Sequence, residues 1–227
     1  MEEVRTILLH RSAYADNDLE ADALRAHLKD NGVFLVNVMS SPGAGKTSTL
    51  TALIDKLKSC LNIGVMEADI DSNVDAVNIA KKTGVKSLQL HTNGMCHLDA
   101  GMTKAGLDEI DFKQLDLIFL ENVGNLVCPA EFDTGASMDM MILSIPEGDD
   151  KPLKYPLIFQ KCELVVINKI DALGYFNFDM DKCVERIKMR NRNATIIPIS
   201  AKTGEGIEQL ANYFLNNLNW TKEQSYV

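Results

Sequence analysis

The chain lacks several features that would place it in other classes of protein. No apolar run in its 227 residues is long enough to cross a bilayer, and the first five residues, Met-Glu-Glu-Val-Arg, lack the pattern of a signal peptide. Basic residues number 23 against 32 acidic ones, which gives a net charge of −9. Nucleic acids and anionic membranes select a basic face, so we expect neither as a partner.

Cysteine is also too sparse and irregular for a disulfide-stabilised scaffold. The five cysteines are odd in number and follow no small-scaffold spacing. Reduced thiols in a cytoplasmic protein fit this usage better. Hydrophobic residues make up 46% of the chain and charged residues 24%, which is typical of globular proteins. The length suffices for one large α/β domain with a sizeable core.

Seven apolar runs predict buried strands. Because they are continuous rather than alternating, we expect both faces of a mostly parallel sheet to be covered by helices, in a three-layer α/β arrangement. The chain divides into an N-terminal helical segment at 1–31 packed on the main domain, a domain at 32–219 and a loose tail at 220–227. The strands are predicted at 33–39, 63–67, 88–90, 115–120, 140–145, 164–167 and 195–199.

A glycine-rich turn follows the first of these runs. Ser-Ser-Pro-Gly-Ala-Gly-Lys-Thr at 40–47 precedes a helical pattern at 47–57, although Ser40 stands where the usual motif begins with glycine. Small residues let backbone N–H groups converge on a polyphosphate, while an ammonium reaches the outer phosphates and a hydroxyl reaches Mg²⁺. The alternative is an ordinary strand–helix turn. We predict a P-loop NTPase fold whose phosphate loop comprises Gly43, Ala44, Gly45, Lys46, Thr47 and Ser48.

Two further strand ends predict a guanine site. Asn168, Lys169 and Asp171 follow the run at 164–167, and an aspartate can accept both donors of the guanine edge. The segment 200–204 follows the next run and resembles the supporting base loop of GTPases, with the Ala201 N–H directed at the guanine carbonyl. A polar turn at a strand end is the alternative. The predicted base-binding residues are Asn168, Lys169, Asp171, Ser200, Ala201 and Lys202.

Acidic residues after two other strands predict the Mg²⁺ side of the site. Glu121 is placed to reach Mg²⁺, and Gly124 allows a backbone N–H to approach the terminal phosphate. Asp69 and then Asp75 are candidates for a second carboxylate, although Asp75 equally suits a helix cap.

Thiol and imidazole groups suggest a second kind of site. Cys96 and His97 are adjacent in a glycine-containing loop, and Cys128 comes just after Gly124. These ligands suit Ni²⁺ or Zn²⁺. The alternatives are a small core cysteine and a surface histidine. Three ligands are one short of a tetrahedral shell, which a dimer interface would complete.

Together these motifs resemble the HypB family, the GTPases of hydrogenase maturation. The resemblance covers about residues 30–215 and is most specific at 41–47, 96–100, 121–130 and 147–156. It implies GTP binding and hydrolysis to GDP with Mg²⁺, a homodimer in the GTP-bound state, and Ni²⁺ or Zn²⁺ bound by the residues matching Cys96, His97 and Cys128. It also implies two partners, the nickel chaperone HypA and the precursor of the [NiFe]-hydrogenase large subunit. Because no glutamine that would orient the attacking water can be identified in the sequence, we expect slow turnover.

The chain departs from some family members at its N-terminus. Residues 1–35 contain no cysteine and only two histidines, so the high-affinity nickel motif of those members is absent there. Acquisition of nickel from a partner therefore becomes the favoured role. Three rivals stay open: a nickel GTPase serving another enzyme such as urease, a non-catalytic metal-binding scaffold, and a P-loop kinase.

Overall fold

The fold was analysed in a computed structural model, which describes residues 5–8, 17–69 and 74–224. Eight strands form one sheet within these ranges, and every neighbouring pair is parallel. The spatial order is β1-β4-β3-β5-β2-β6-β7-β8. The strands are β1 Arg5–Leu8, β2 Phe34–Ser40, β3 Ile63–Asp69, β4 Lys86–His91, β5 Leu117–Glu121, β6 Met138–Ser144, β7 Leu164–Asn168 and β8 Thr195–Pro198.

The described part of the chain contains nine α-helices, of which the last follows the final strand. The chain ends differ from the predicted division in two ways. Residues 5–8 form a strand within the segment predicted to be helical, and the last helix extends past residue 219, where a loose tail was predicted, to Gln224. The helices are α1 Asn17–Asp30, α2 Lys46–Leu57, α3 Val74–Thr83, α4 Ala100–Ile110, α5 Cys128–Glu131, α6 Lys151–Lys154, α7 Pro156–Lys161, α8 Met180–Arg190 and α9 Ile207–Gln224.

Helices cover both faces of the sheet, which confirms the three-layer prediction. Apolar residues of α2, α3 and α9 form one core with the strands, where Phe119 meets Phe214 edge-on at 5.5 Å between ring centroids. Residues of α1 and α4 fill a second core on the opposite face, and those of α7 and α8 fill a third. Burying each such aromatic side chain contributes roughly 2–3 kcal/mol. None of the described helices combines the length and apolar content needed to span a membrane.

The seven predicted strands lie where the apolar runs are, with ends shifted by at most two residues. All seven end at the same edge of the sheet because the sheet is parallel. The loops that carry the predicted site residues follow β2, β3, β4, β5, β7 and β8, so they converge on that edge, as ligand sites of α/β sheets do.

Candidate functional site

The phosphate loop runs from the end of β2 into α2. Gly43 and Gly45 have φ values of 76° and 99°, a region that glycine enters at no steric cost. A Cβ on Gly45 would lie 2.5 Å from Nδ2 of Asn168, so the loop has no room for a side chain there. The Lys46 ammonium donates to Oγ of Ser40 at 3.2 Å. Ser40 thus supplies a hydroxyl to the loop lysine at the position where the usual motif has glycine.

Thr47 and Glu121 meet at the predicted Mg²⁺ position. The Thr47 hydroxyl donates to Oε1 of Glu121 at 3.1 Å, which joins the start of α2 to the end of β5. A hydroxyl and a carboxylate are the hard oxygen ligands that Mg²⁺ prefers, so the donor set fits this ion. Asp69 ends β3 at the same edge of the sheet, and Asp75 lies in the first turn of α3. Their roles as Mg²⁺ ligands stay predictions.

Sequence reasoning missed one acid near this position. Glu67 pairs in register with Glu121 across β3 and β5, and it is almost fully buried. In a parallel ladder, side chains of paired residues project to the same face of the sheet. The signal in the sequence is an acidic residue at the end of an otherwise apolar run.

The segment after β5 packs directly against the phosphate loop. A Cβ on Gly124 would lie 3.1–3.3 Å from the ring and backbone of Pro42, so the two loops touch through backbone. The Asn122 side chain also stabilises this segment, because its Oδ1 accepts a hydrogen bond from the Val123 N–H at 2.9 Å. Nδ2 of Asn122 donates to Oδ1 of Asn37 at 3.0 Å. A movement of the phosphate loop would therefore reach the segment that leads to Cys128.

Asn168 and Lys169 hold the phosphate loop from the base side. Nδ2 of Asn168 donates to the carbonyl of Ala44 at 3.0 Å, and Nζ of Lys169 donates to the carbonyl of Gly43 at 2.6 Å. Oδ1 of Asn168 accepts from the Lys169 N–H at 2.7 Å and from the Ala201 N–H at 3.1 Å. The expected contact of the Ala201 N–H with a guanine carbonyl would compete with this last bond.

Asp171 is oriented by the loop after β8. The Ser200 hydroxyl donates to Oδ1 of Asp171 at 2.6 Å and accepts from the Thr203 N–H at 3.1 Å. Nζ of Lys202 lies 4.0 Å from the other carboxylate oxygen, Oδ2. Asp171 itself is exposed. A carboxylate held in this way can accept two parallel donors from a purine edge, which guanine offers.

The structure brings the predicted thiols together. A hydrogen bond with Cys128 is the main cause that raises the pKa of the Cys96 thiol, followed by burial. Sγ of Cys96 lies 3.9 Å from Nδ1 of His97, and the His97 ring stacks on Phe132 with centroids 3.5 Å apart. Two thiols and an imidazole are soft ligands that suit Ni²⁺ or Zn²⁺.

This cluster is not a complete metal shell. The described ranges contain no group of three or more His, Cys, Asp or Glu side chains arranged to hold a metal ion. The three-ligand assignment therefore stays a prediction. The sequence context of the other three cysteines contains no further metal ligands, which predicts packing residues. Cys162 and Cys183 agree with this prediction because they are buried, and burial raises the pKa of Cys183 to about 12. For Cys60 the prediction is wrong, because this residue is exposed.

The parallel sheet, the glycine-rich loop before α2 and the Asn168–Asp171 turn define a P-loop nucleotide-binding protein. The model of the CobW/HypB/UreG nucleotide-binding domain matches residues 34–198. The chain belongs to this family, and within it to the hydrogenase maturation factors HypB. The resemblance inferred from the motifs is thereby confirmed.

Individual relatives agree with this assignment. Hydrogenase maturation factor HypB of Rhizobium leguminosarum bv. viciae is 40% identical over 92% of this chain and 69% of its own length. Hydrogenase/urease maturation factor HypB of Helicobacter hepaticus is 39% identical over 92% of this chain and 87% of its own. The crystal structure of HypB from Helicobacter pylori in complex with nickel superposes with a TM-score of 0.85 at 36% identity, covering 90% of this chain and 96% of that one.

Proposed function

We propose that the chain is a GTP-hydrolysing metallochaperone that assists nickel insertion into [NiFe]-hydrogenase during its maturation. One observation carries the proposal. The segment that packs on the phosphate loop at Gly124 continues into Cys128, whose thiol meets Cys96. Nucleotide and metal ligands thus share one segment of chain, so each has a direct route to affect the other.

The residues divide the work of nucleotide binding. The Lys46 ammonium would lie against the outer phosphates, and Asn168 with Lys169 would keep the loop in shape through its carbonyls. Asp171 would select guanine. Thr47 and Glu121 would hold Mg²⁺, which supplies positive charge to the phosphates. No glutamine is placed by the sequence to orient the attacking water, so we expect the slow turnover of a switch.

The transition metal is the cargo that the protein would deliver. Cys96, His97 and Cys128 would hold Ni²⁺ or Zn²⁺ after loss of the thiol protons. A second copy of the chain would complete the shell, which links metal binding to a homodimer in the GTP-bound state. We propose the nickel chaperone HypA as donor and the [NiFe]-hydrogenase large-subunit precursor as receiver. The relative named as a hydrogenase/urease maturation factor makes urease a second candidate receiver.

Phosphate release separates the enzyme from a metal-binding scaffold. We expect the wild type to release phosphate slowly from GTP in the presence of Mg²⁺, and Lys46→Ala to lose at least 90% of that rate, because the lysine ammonium is removed. Equal rates in both proteins would favour the scaffold. Release of ADP that depends on a small acceptor would favour the kinase instead.

Metal titration tests the second half of the proposal. We expect Ni²⁺ to produce a sulfur-to-nickel charge-transfer band that the double variant C96A/C128A loses. Cys60→Ala is the matched control, because it removes an exposed thiol outside the cluster. The band should shift when GDP is replaced by a GTP analogue. A band that stays the same with GDP and with the GTP analogue at every protein concentration would contradict the coupling between nucleotide and metal binding.

A further inference from the structure

Helix α1 touches both segments that carry the candidate metal ligands. Its first residue, Asn17, is almost fully buried. Nδ2 of Asn17 donates to the carbonyl of Asp133 at 3.0 Å, and Oδ1 accepts from the N–H of Ala100 at 3.0 Å. Ala100 begins α4, three residues after His97, and Asp133 lies five residues after Cys128. One side-chain amide therefore joins the two ligand segments.

A second contact lies about 12 Å farther along the helix, at eight residues' separation. Nη2 of Arg25 lies 2.7 Å from both carboxylate oxygens of Asp133, and Nε donates to the carbonyl of Ala136 at 2.8 Å. The same carboxylate accepts from the Gly135 N–H at 2.8 Å. The guanidinium thus fixes both the side chain and the backbone of this segment.

The segment is also packed tightly on α1. Gly135 has a φ of +74°, and a Cβ there would lie 2.9 Å from Cδ2 of Leu24 and 3.1 Å from the Ala21 carbonyl. The backbone therefore rests on the helix without an intervening side chain. Immediately before Asp133, Phe132 stacks on the His97 ring. Through Phe132, a shift of this segment on α1 would also shift the ring of His97, a candidate metal ligand.

We propose that α1 is a clasp that sets the relative position of Cys96, His97 and Cys128, with Asn17 and Arg25 as positioning residues for the metal. The inference rests on the proposed metal site. Outer contacts that orient ligands typically change metal affinity 10- to 100-fold when they are removed. None of the described contacts of Asn17 or Arg25 reaches the phosphate or base loops. Loss of the clasp should therefore change the geometry of the metal ligands and leave nucleotide affinity unchanged.

The test compares Asn17→Ala with Asn191→Ala. Asn191 is a matched control because its amide also fastens two backbone carbonyls, those of Gln160 and Cys162, away from the ligand segments. Ni²⁺ affinity is measured by competition with a chromophoric chelator, the sulfur-to-nickel band is recorded, and GDP affinity is measured with a fluorescent analogue. We expect Asn17→Ala to weaken Ni²⁺ binding at least tenfold and shift the band, with GDP affinity within twofold.

Each outcome decides a separate question. Unchanged Ni²⁺ affinity and band in folded Asn17→Ala would overturn the clasp while leaving the metal site intact. The same loss in Asn191→Ala would also overturn it, since general destabilisation would then suffice. A wild type that binds no Ni²⁺ through its thiols would overturn both the metal site and the clasp. If Asn17→Ala does not fold, Arg25→Gln takes its place, because Arg25 is partly exposed. Arg25→Gln should weaken Ni²⁺ at least threefold, and an unchanged affinity would again refute the clasp.

Discussion

Asp139 should make the stability of the protein depend on pH in a direction opposite to that of a paired carboxylate. It lies in β6, where Nδ2 of Asn37 donates to its Oδ1 at 2.8 Å. Burial raises the pKa of Asp139 from 3.8 to about 6, the Asn37 hydrogen bond opposes the rise, and the charges of Glu163 and Asp133 add to it. The native state therefore favours the protonated acid.

The magnitude follows from linkage. A pKa raised from 3.8 to about 6 corresponds to ~3 kcal/mol. Because the native state binds more protons than the unfolded state in this window, the stabilising contribution is complete below pH 3.8 and is lost as pH rises through about 6. Asp139 retains partial contact with solvent, so we expect its ionisation to lower the free energy of unfolding by about 2 kcal/mol at pH 7.5.

Asp139→Asn should remove this cost, because an amide oxygen can still accept the bond from Asn37 and carries no charge. Urea unfolding of wild type and variant is measured between about pH 5 and pH 7.5, with Asp30→Asn as an exposed control. The stability advantage of Asp139→Asn should grow by ~1–2 kcal/mol across this range. An advantage that stays constant, or shrinks as pH rises, would refute the reasoning.

Two further predictions concern the nucleotide site. Gly45→Ala should weaken GTP binding more than tenfold, because the new Cβ would clash with Asn168 and the backbone φ of 99° disfavours a side chain. Gly84→Ala is the control, because Gly84 also has a positive φ but open space around it, and it should leave GTP affinity within threefold. Equal losses of affinity in both variants would attribute the effect to backbone strain alone. Ser200→Ala should lower the preference for GTP over ATP at least threefold, because Asp171 loses an orienting donor; unchanged selectivity in a competition assay would contradict this role.

The sequence was most informative where chemistry is local. Continuous apolar runs predicted seven of the described strands and their mostly parallel sheet, and the predicted site residues follow the ends of those strands. Strand β1 was missed because Arg5–Leu8 is short, and its pairing with β4 joins residues more than 80 positions apart. Such pairings depend on tertiary packing, which residue periodicity does not encode.

For the candidate site, too, the sequence predicted local motifs but not the contacts between distant parts of the chain. Residue types and spacing predicted the phosphate loop, the Asn168–Asp171 turn and the thiol ligands. They did not reveal that the amide nitrogen and oxygen of Asn168 both bond to backbone groups, or that Asn17 joins Ala100 to Asp133. These contacts join parts of the chain far apart in sequence, and only the assembled sheet brings them together.

The order of the strands has a consequence for where the two sulfurs come together. Cys96 follows β4 and Cys128 follows β5, and β3 lies between these strands in the sheet. Two residues proposed to serve the Mg²⁺ side of the site, Asp69 and Glu121, end β3 and β5. The two thiol-bearing loops therefore meet across the end of β3. Under the proposed function, a movement of that strand end on hydrolysis would change the distance between the two sulfurs and the coordination of an ion bound by both.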